Sequence, residues 1–279
     1  MANIGKTNRL VIVRASDQGY YLDGGKLGEI LLPNRYVPEE VEQGDELEVF
    51  VYRDSEDRLV ATTDKPFCEL CQFAALEVLS VHQKIGAFLD WGLPKDLLLP
   101  FAEQGQRVKP GRKVVVYVMC DRRSNRIIAT TKTNRFLNQT PPDYEPGQSV
   151  SLIVMERTPL GFNCVVNQAH RGLLYHSDLK ESLKIGREMN GFVKKVRDSG
   201  QIDLSLSEDG FGRVLSLSDQ ILDALRENGG RIDIGDRSSP ETIRRVFATS
   251  KKTYKKALGT LYRKRLIRIG DDRIELGDC

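Results

Sequence analysis

The chain of 279 residues lacks any run of about 20 apolar residues, the length that a membrane-spanning helix requires. Its first residues, Met1-Ala2-Asn3-Ile4-Gly5-Lys6, lack the apolar core of a secretory signal. Histidine occurs only three times, and we find no phosphate-binding Gly-x-x-x-x-Gly-Lys motif and no cluster of metal-ligating residues in the sequence. We therefore expect a cytoplasmic protein that is not an enzyme, contacts no membrane, and holds no cofactor and no metal.

The cysteines are few and scattered, and their number, five, is odd, which fits reduced thiols. One pair, Cys68-x-x-Cys71, has the spacing of a zinc or redox motif. A zinc site would need a second pair or nearby histidines, and a thioredoxin-like motif would need a βαβ unit around it. Since neither context is present, we expect the cysteines to be ordinary packing or surface residues.

The net charge is unevenly distributed along the chain. It is +3 overall, but residues 212–279 contain fifteen Lys and Arg against ten Asp and Glu, a net charge of +5, so that the rest of the chain carries −2. A positive field at the C-terminal end favours an anionic partner there.

A segment of about 60 residues occurs three times. Each copy contains a strand-turn-strand pattern centred on glycine and ends on a similar phrase. These phrases are Arg58-Leu59-Val60-Ala61-Thr62-Thr63, Arg126-Ile127-Ile128-Ala129-Thr130-Thr131 and Gln201-Ile202-Asp203-Leu204-Ser205-Leu206. Self-similarity at this period indicates an array of like domains, which is typical of binding proteins.

The first copy predicts five short strands, at residues 9–13, 19–23, 29–33, 45–52 and 59–62. Gly24-Gly25 favours a tight turn between the second strand and the third. Five short strands in this order predict a small closed barrel.

Phrases of the later copies resemble the S1 RNA-binding domain, a five-stranded OB-fold barrel. The resemblance lies in Gly86-Ala87-Phe88-Leu89-Asp90, Gly172-Leu173-Leu174-Tyr175-His176-Ser177 and Gln201-Ile202-Asp203-Leu204-Ser205. The expected fold is mainly β with a C-terminal α+β unit. We expect S1-like barrels at residues 1–64, 65–134 and 147–208, followed by a winged-helix domain at residues 213–279.

The S1 resemblance implies an RNA face that combines aromatic rings with cations, because bases stack on rings while cations hold phosphate. The positions that match this face are Tyr21, Arg58, Phe88, Arg126, Tyr175 and His176. No copy has the full set: the outer aromatic is missing from all three, and Asn163 replaces the inner aromatic of the third. Each barrel could therefore be a spacer. The one tryptophan, Trp91, is predicted either to stack a base or to pack against a neighbouring repeat.

After Gly212 the pattern changes from alternation to a helical period and predicts three helices, which start near Ser218, Ser239 and Ser250. The second helix presents an apolar face of Ile243, Val246 and Phe247. The third presents Tyr254, Ala257, Leu258, Leu261 and Tyr262. An alternating hairpin at residues 266–276 follows, and three helices with a hairpin are typical of a winged helix.

Cations lie opposite the apolar face of the third helix and continue into the hairpin. We expect Lys252, Lys255, Lys256, Arg263 and Arg268 to contact nucleic acid. The alternatives are a solvated helix face and a winged helix that docks on a protein.

Three S1-like barrels followed by a winged helix resemble the conserved virulence factor B (YitL-type) family of bacteria. The segment from Ser239-Pro240-Glu241 to Leu261-Tyr262 is similar to the winged helix of that family. The resemblance implies a regulator that acts after transcription and binds single-stranded RNA. The alternative is a transcription regulator that binds duplex DNA through the winged helix. The sequence indicates no particular protein partner, and we expect a monomer.

Overall fold

The structure, a computed structural model, describes residues 1–121, 124–179, 181–207 and 212–277. The chain divides into two compact units. The first comprises residues 1–142, 150–190 and 199–201, and the second comprises residues 143–149, 191–198 and 202–279. The four domain boundaries expected from the sequence stay a prediction.

The first barrel closes on itself. Its strands are β1 (Thr7–Ser16), β2 (Gly19–Asp23), β3 (Glu29–Pro33), β4 (Glu46–Arg53) and β5 (Leu59–Thr62). Their order is β1-β2-β3-β5-β4, with β3 and β5 parallel and β4 returning to pair with β1. Alternating apolar residues of these strands point inward, as in β1, where Leu10 and Ile12 are buried.

The second barrel has the same plan but an open order of strands. Its strands are β6 (Phe73–His82), β7 (Gly86–Leu89), β8 (Leu97–Pro100), β9 (Lys113–Cys120) and β10 (Ile127–Thr130). They form one sheet in the order β10-β9-β6-β7-β8, and the edge strands β10 and β8 lie next to each other. The barrel is therefore nearly closed.

The third barrel is closed again. Its strands are β11 (Ser149–Arg157), β12 (Gly161–Val166), β13 (His170–Tyr175), β14 (Glu188–Val196) and β15 (Ile202–Ser205). Their order, β11-β12-β13-β15-β14, repeats that of the first barrel.

The glycine that opens the second strand of each barrel is required by a close approach of backbone. At Gly86 φ is +149°, and a Cβ there would lie 2.2 Å from the carbonyl oxygen of Leu99. The equivalent distance is 1.8 Å at Gly161, measured to the carbonyl oxygen of Leu174. Only glycine fits such a position, which explains why the phrase repeats.

The α-helices of the described residues lie in the second unit. Its elements beyond the third barrel are α1 (Gly212–Glu227), β16 (Arg231–Ile232), α2 (Pro240–Phe247), α3 (Lys251–Arg263), β17 (Ile267–Ile269) and β18 (Ile274–Leu276). The strands form a sheet in the order β16-β18-β17. Ser239 and Ser250 cap α2 and α3, because their side chains accept hydrogen bonds from the backbone N–H of Thr242 and Thr253.

The predicted fold class is confirmed: the protein is mainly β, with three five-stranded barrels and a C-terminal unit of helices and a small sheet. Three details of the prediction were wrong. Helix α1 begins at Gly212 and not at Ser218, which is buried within it. Val246 and Tyr262 were expected in the apolar faces, but they are 49% and 58% exposed. Strand β16 was not foreseen.

No helix in the described part of the chain is long and apolar enough to cross a membrane.

Candidate nucleic-acid interface

In the first barrel, the expected stacking residue is already partly covered. Tyr21 lies on β2 and is half-buried. The guanidinium of Arg14 lies 3.6 Å from the centre of its ring, and Glu29 holds that guanidinium through hydrogen bonds of 2.9 and 2.7 Å. The hydrogen bond to Glu29 also raises the pKa of Arg14. A base could stack on that face of Tyr21 only after Arg14 had moved.

Arg58, the residue of the first barrel that is expected to bind phosphate, is paired with two carboxylates. Arg58 donates to Asp54 through two nitrogens, at 2.9 and 2.7 Å, and lies 2.9 Å from Glu56. Although the partial burial of Asp54 acts in the opposite direction, the hydrogen bonds from Arg58 lower the pKa of its carboxyl. A phosphate would have to compete with both acids for this guanidinium.

In the second barrel, Phe88 on β7 and Arg126 before β10 line the same cavity, of about 320 Å³. The first barrel contributes Tyr52, Ser55 and Asp57 to its lining. Arg126 lies 3.4 Å from Asp57 across this junction. The cavity brings together two of the predicted site residues, and residues of the turn before β5 of the first barrel line it beside them.

Lys95 ties the two barrels together at this cavity. Its ammonium group donates to the backbone carbonyls of Arg53 and Asp54 at 2.8 and 2.7 Å. Burial lowers the pKa of Lys95, and burial together with Asp90 raises the pKa of the neighbouring Asp96. Cavities that hold small ligands measure roughly 300–1000 Å³, so this one has room for a single base.

Trp91 packs between the first two barrels and is not a stacking platform. It is 3% exposed, and its ring meets that of Phe50 edge-on, with the ring centres 5.5 Å apart. Its indole N–H donates to the carbonyl of Cys68 at 2.7 Å. Of the two interpretations that the sequence left open, the structure favours packing against a neighbouring repeat.

The third barrel offers one histidine and one tyrosine at the end of β13. Tyr175 is half-buried, and His176 is exposed beside Phe162, with the ring centres 5.3 Å apart. The Nε2 of His176 donates to the carbonyl of Thr158 at 3.1 Å. Asn163 is buried and donates to Glu156 at 2.6 Å, so it presents no surface for a base.

The predicted cations of α3 lie on its exposed face. Lys252, Lys256 and Arg263 follow at steps of four and seven residues, which places them on one side of the helix. Lys255 is instead held by Asp236 in an ion pair of 2.8 Å. Arg268 is exposed on β17.

A candidate residue that the sequence prediction missed is Tyr262, at the last turn of α3. Its exposed ring lines a cavity of about 430 Å³ together with Arg263, Arg265 and Arg268. The indication in the sequence was the run Arg263-Lys264-Arg265, which directly follows this aromatic residue. An accessible ring between guanidinium groups combines the two contacts that single-stranded nucleic acid requires.

The cysteines that the structure describes form no common site. The four that the structure describes are free. Cys68 is buried, which raises its pKa to about 12, whereas Cys71 is exposed. The described residues contain no group of three or more His, Cys, Asp or Glu side chains that could hold a metal ion.

Comparisons with known proteins place the two ends of the chain in domain families. Residues 4–64 match the family model of the S1 domain, and residues 219–276 match that of the CvfB-like winged helix domain. The chain begins with an S1 domain and ends with a CvfB-like winged helix domain. Both kinds of domain are typical of nucleic-acid-binding proteins.

Similar proteins cover nearly the whole chain. The uncharacterized protein YitL of Bacillus subtilis (strain 168) is 29% identical over 92% of this chain and 88% of its own length. Conserved virulence factor B of Staphylococcus haemolyticus is 25% identical over 98% of this chain and 94% of its own length. The predicted resemblance to the conserved virulence factor B family is thereby confirmed.

A solved structure also covers nearly the whole chain. It is a multidomain protein with nucleic acid binding domains from Streptococcus pneumoniae TIGR4, with 23% identity, a TM-score of 0.43 and coverage of 98% of both chains.

Proposed function

We propose that this chain is a non-catalytic RNA-binding protein that regulates gene expression in bacteria after transcription. The observation that carries the proposal is the exposed ring of Tyr262 beside Arg263, Arg265 and Arg268 in the winged helix domain.

Stacking on an exposed ring requires a base whose own faces are free. In a duplex both faces of each base are covered by its neighbours, whereas a single strand can turn a base outward. Tyr262 presents the ring, and the three arginines that line the same cavity supply cations for the phosphates beside a stacked base. This arrangement favours a single strand over a duplex.

The exposed cations of α3 extend the same surface. Lys252 and Lys256 lie one turn apart on the face that also carries Arg263. Contacts of this kind to phosphates are independent of sequence and depend strongly on salt. They supply affinity, while the ring at position 262 selects for unpaired bases.

The barrels contribute through the cavity that Phe88 and Arg126 line, which has room for one base. We expect the contribution of Tyr21 and Arg58 in the first barrel to be smaller, because Arg14 covers the ring and two carboxylates hold the guanidinium. Tyr175 and His176 are the candidates in the third barrel. The choice of RNA over single-stranded DNA, and the regulatory role, rest on the S1 domain and on the resemblance to the virulence factor family.

Competition between nucleic acids of equal length tests the proposal. A labelled single-stranded RNA bound to the full chain is displaced by unlabelled single-stranded RNA, single-stranded DNA or duplex DNA at about 0.15 M salt, since affinities are comparable only at one stated ionic strength. We expect single-stranded RNA to compete best and duplex DNA worst.

Stronger competition by duplex DNA would overturn the proposal in favour of a transcription regulator whose α3 enters the major groove. Equal competition by single-stranded DNA and RNA would retain the single-strand preference and remove the RNA specificity.

A further inference from the structure

The second and third barrels are packed together by an apolar cluster within the first unit. Phe73 and Val115 of the second barrel meet Ile153 and Val165 of the third, with Leu137 between them. The side chain of Gln168 accepts from the backbone N–H of Phe73 at 2.6 Å and donates to its carbonyl at 2.9 Å. The surface along this junction is therefore formed before any ligand arrives.

A groove of about 520 Å³ lies at this junction, and we call it the junction groove. The loop between β8 and β9 and the start of β9 line it with four cations, and the third barrel adds apolar surface. The cations are Arg107, Lys109, Arg112 and Lys113, and the apolar residues from the third barrel are Met155 and Ile185.

The charge of the junction groove is not neutralised by the protein. Within the described ranges, none of these four cations forms an ion pair with a carboxylate, and Arg107 lies over the ring of Phe101 at 5.3 Å. The acid that lines the groove, Glu156, is already bound by Arg171 at 2.7 Å and by Asn163 at 2.6 Å. An anion can therefore approach the cations without displacing a carboxylate from them.

The junction groove is separate from the cavity that Phe88 and Arg126 line in the second barrel. It shares no lining residue with the cavity of Phe88 and Arg126, which involves β7, β8 and the turn before β10. It also differs in chemistry, since no aromatic ring lines it among the described residues. Cations without rings suit contacts to phosphate and sugar, which position a strand without selecting its bases.

We propose that the junction groove is a second binding site for single-stranded nucleic acid, which it holds by the sugar–phosphate backbone. Its volume lies within the roughly 300–1000 Å³ of small-ligand sites, so it has room for about one or two nucleotides of a strand. The amide of Asn134, which also lines it, can donate a hydrogen bond to sugar or phosphate oxygens, whereas the hydroxyl of Thr131 already accepts from the backbone N–H of Gly105 at 2.8 Å. The inference rests on the proposed single-strand binding and assigns it a further surface.

The test compares two triple variants of the full chain that lose the same charge. One carries Lys109→Ala, Arg112→Ala and Lys113→Ala, and the control carries Lys26→Ala, Lys65→Ala and Lys84→Ala. All six residues are exposed, and the control residues line neither cavity. The probe is an oligouridine of about 20 nucleotides, longer than the roughly 4–16 that one OB fold occupies.

Binding is measured by fluorescence anisotropy between about 0.05 and 0.2 M KCl, where each lost phosphate contact flattens the slope of log K against log salt by about 0.7. We expect the groove variant to bind more weakly, with a slope flatter by about 2 if all three contacts are lost. The control variant should keep the slope of the unmodified chain. The chain that carries Lys109→Arg and Lys113→Arg should bind like the unmodified chain, since this exchange retains both charges.

The failures of the two proposals are distinguishable. An unmodified chain that does not bind the oligouridine overturns the proposed function. A chain that binds while the groove variant behaves like its control overturns the junction groove alone. If melting curves show that the triple variant is unfolded, the single exchange Arg112→Ala decides: a slope flatter by about 0.7 supports the groove, and an unchanged slope overturns it.

Discussion

Tyr262 shows how one step along a helix separates a core residue from a surface residue. Tyr254, Ala257, Leu258 and Leu261 fill the core of the winged helix domain. The next position is turned by about 100° about the helix axis, which carries the ring of Tyr262 to the edge of that face. The helix ends there, and Arg265 takes a left-handed φ of +59°, so no further turn covers the ring.

We predict that Tyr262→Ala weakens the binding of single-stranded RNA by about 1–3 kcal/mol, the contribution of one stacked base. Tyr262→Phe should bind almost normally, because stacking needs the ring and not the hydroxyl. Val246→Ala is the matched control, since it removes another exposed apolar side chain of the same domain. The measurement is anisotropy titration beside a melting curve.

Two other outcomes would change the role that we assign to Tyr262. Normal affinity in Tyr262→Ala would leave the cations alone as the binding surface of the winged helix domain. A loss of affinity in both Tyr262→Ala and Tyr262→Phe would indicate that the hydroxyl, and not stacking, makes the contact.

At the scale of the element, the caps of α2 and α3 were predictable from local sequence, and so were their apolar faces except for Val246 and Tyr262. Serine is common at the position before a helix and proline at its first position. Ser239 and Ser250 cap α2 and α3 as expected, and Pro240 is the first residue of α2. The start of α1 was not predictable in the same way. Ser218 has the character of a cap, but it lies inside the helix and is buried there, so tertiary packing overrode the local preference.

Strand β16 was missed for a physical reason as well. It has two residues, Arg231 and Ile232, and it exists because it pairs with β18 far along the chain. A segment of that length carries no alternating pattern from which a strand could be predicted.

Helix α3 offers a matched pair of lysines for testing its role. Lys252 and Lys255 are both exposed and lie about one turn apart. Lys255 is held by Asp236 at 2.8 Å, whereas Lys252 has no carboxylate partner in the described part of the chain. We predict that Lys252→Ala weakens RNA binding and flattens the salt slope by about 0.7, and that Lys255→Ala has a smaller effect.

Titrations at several salt concentrations check this prediction. Equal losses from the two variants would show that Asp236 releases Lys255 when RNA binds. No loss from either would favour the interpretation of α3 as a solvated face.

At the scale of the whole molecule, the repeats were predictable and their junctions were not. Three copies of one strand pattern specify three barrels, because each copy must bury its own alternating residues. No repeating sequence pattern marks the surfaces where the barrels meet. Nothing in the sequence around Arg126 indicated that Asp57, from another repeat, would lie 3.4 Å away, and the junction groove was missed for the same reason.

The pairing of Arg126 with Asp57 has a consequence for binding at the cavity of Phe88. A phosphate that binds Arg126 must displace the carboxylate or share the guanidinium with it, and the negative charge of Asp57 repels the phosphate. Removing that charge while keeping the shape should therefore strengthen RNA binding if the second barrel takes part.

Asp57→Asn is the suitable change, because residue 57 has a φ of +68° and asparagine tolerates this left-handed conformation well. An exposed ion pair contributes little, so we predict an increase in affinity for single-stranded RNA of about two- to fivefold, measured by anisotropy at low salt. In a chain that already carries Arg126→Ala, Asp57→Asn should raise the affinity by less, because the guanidinium that would bind the phosphate is missing. If Asp57→Asn raises the affinity equally with and without Arg126, the gain comes from net charge alone. If it raises the affinity in neither case, the second barrel does not bind RNA through this cavity.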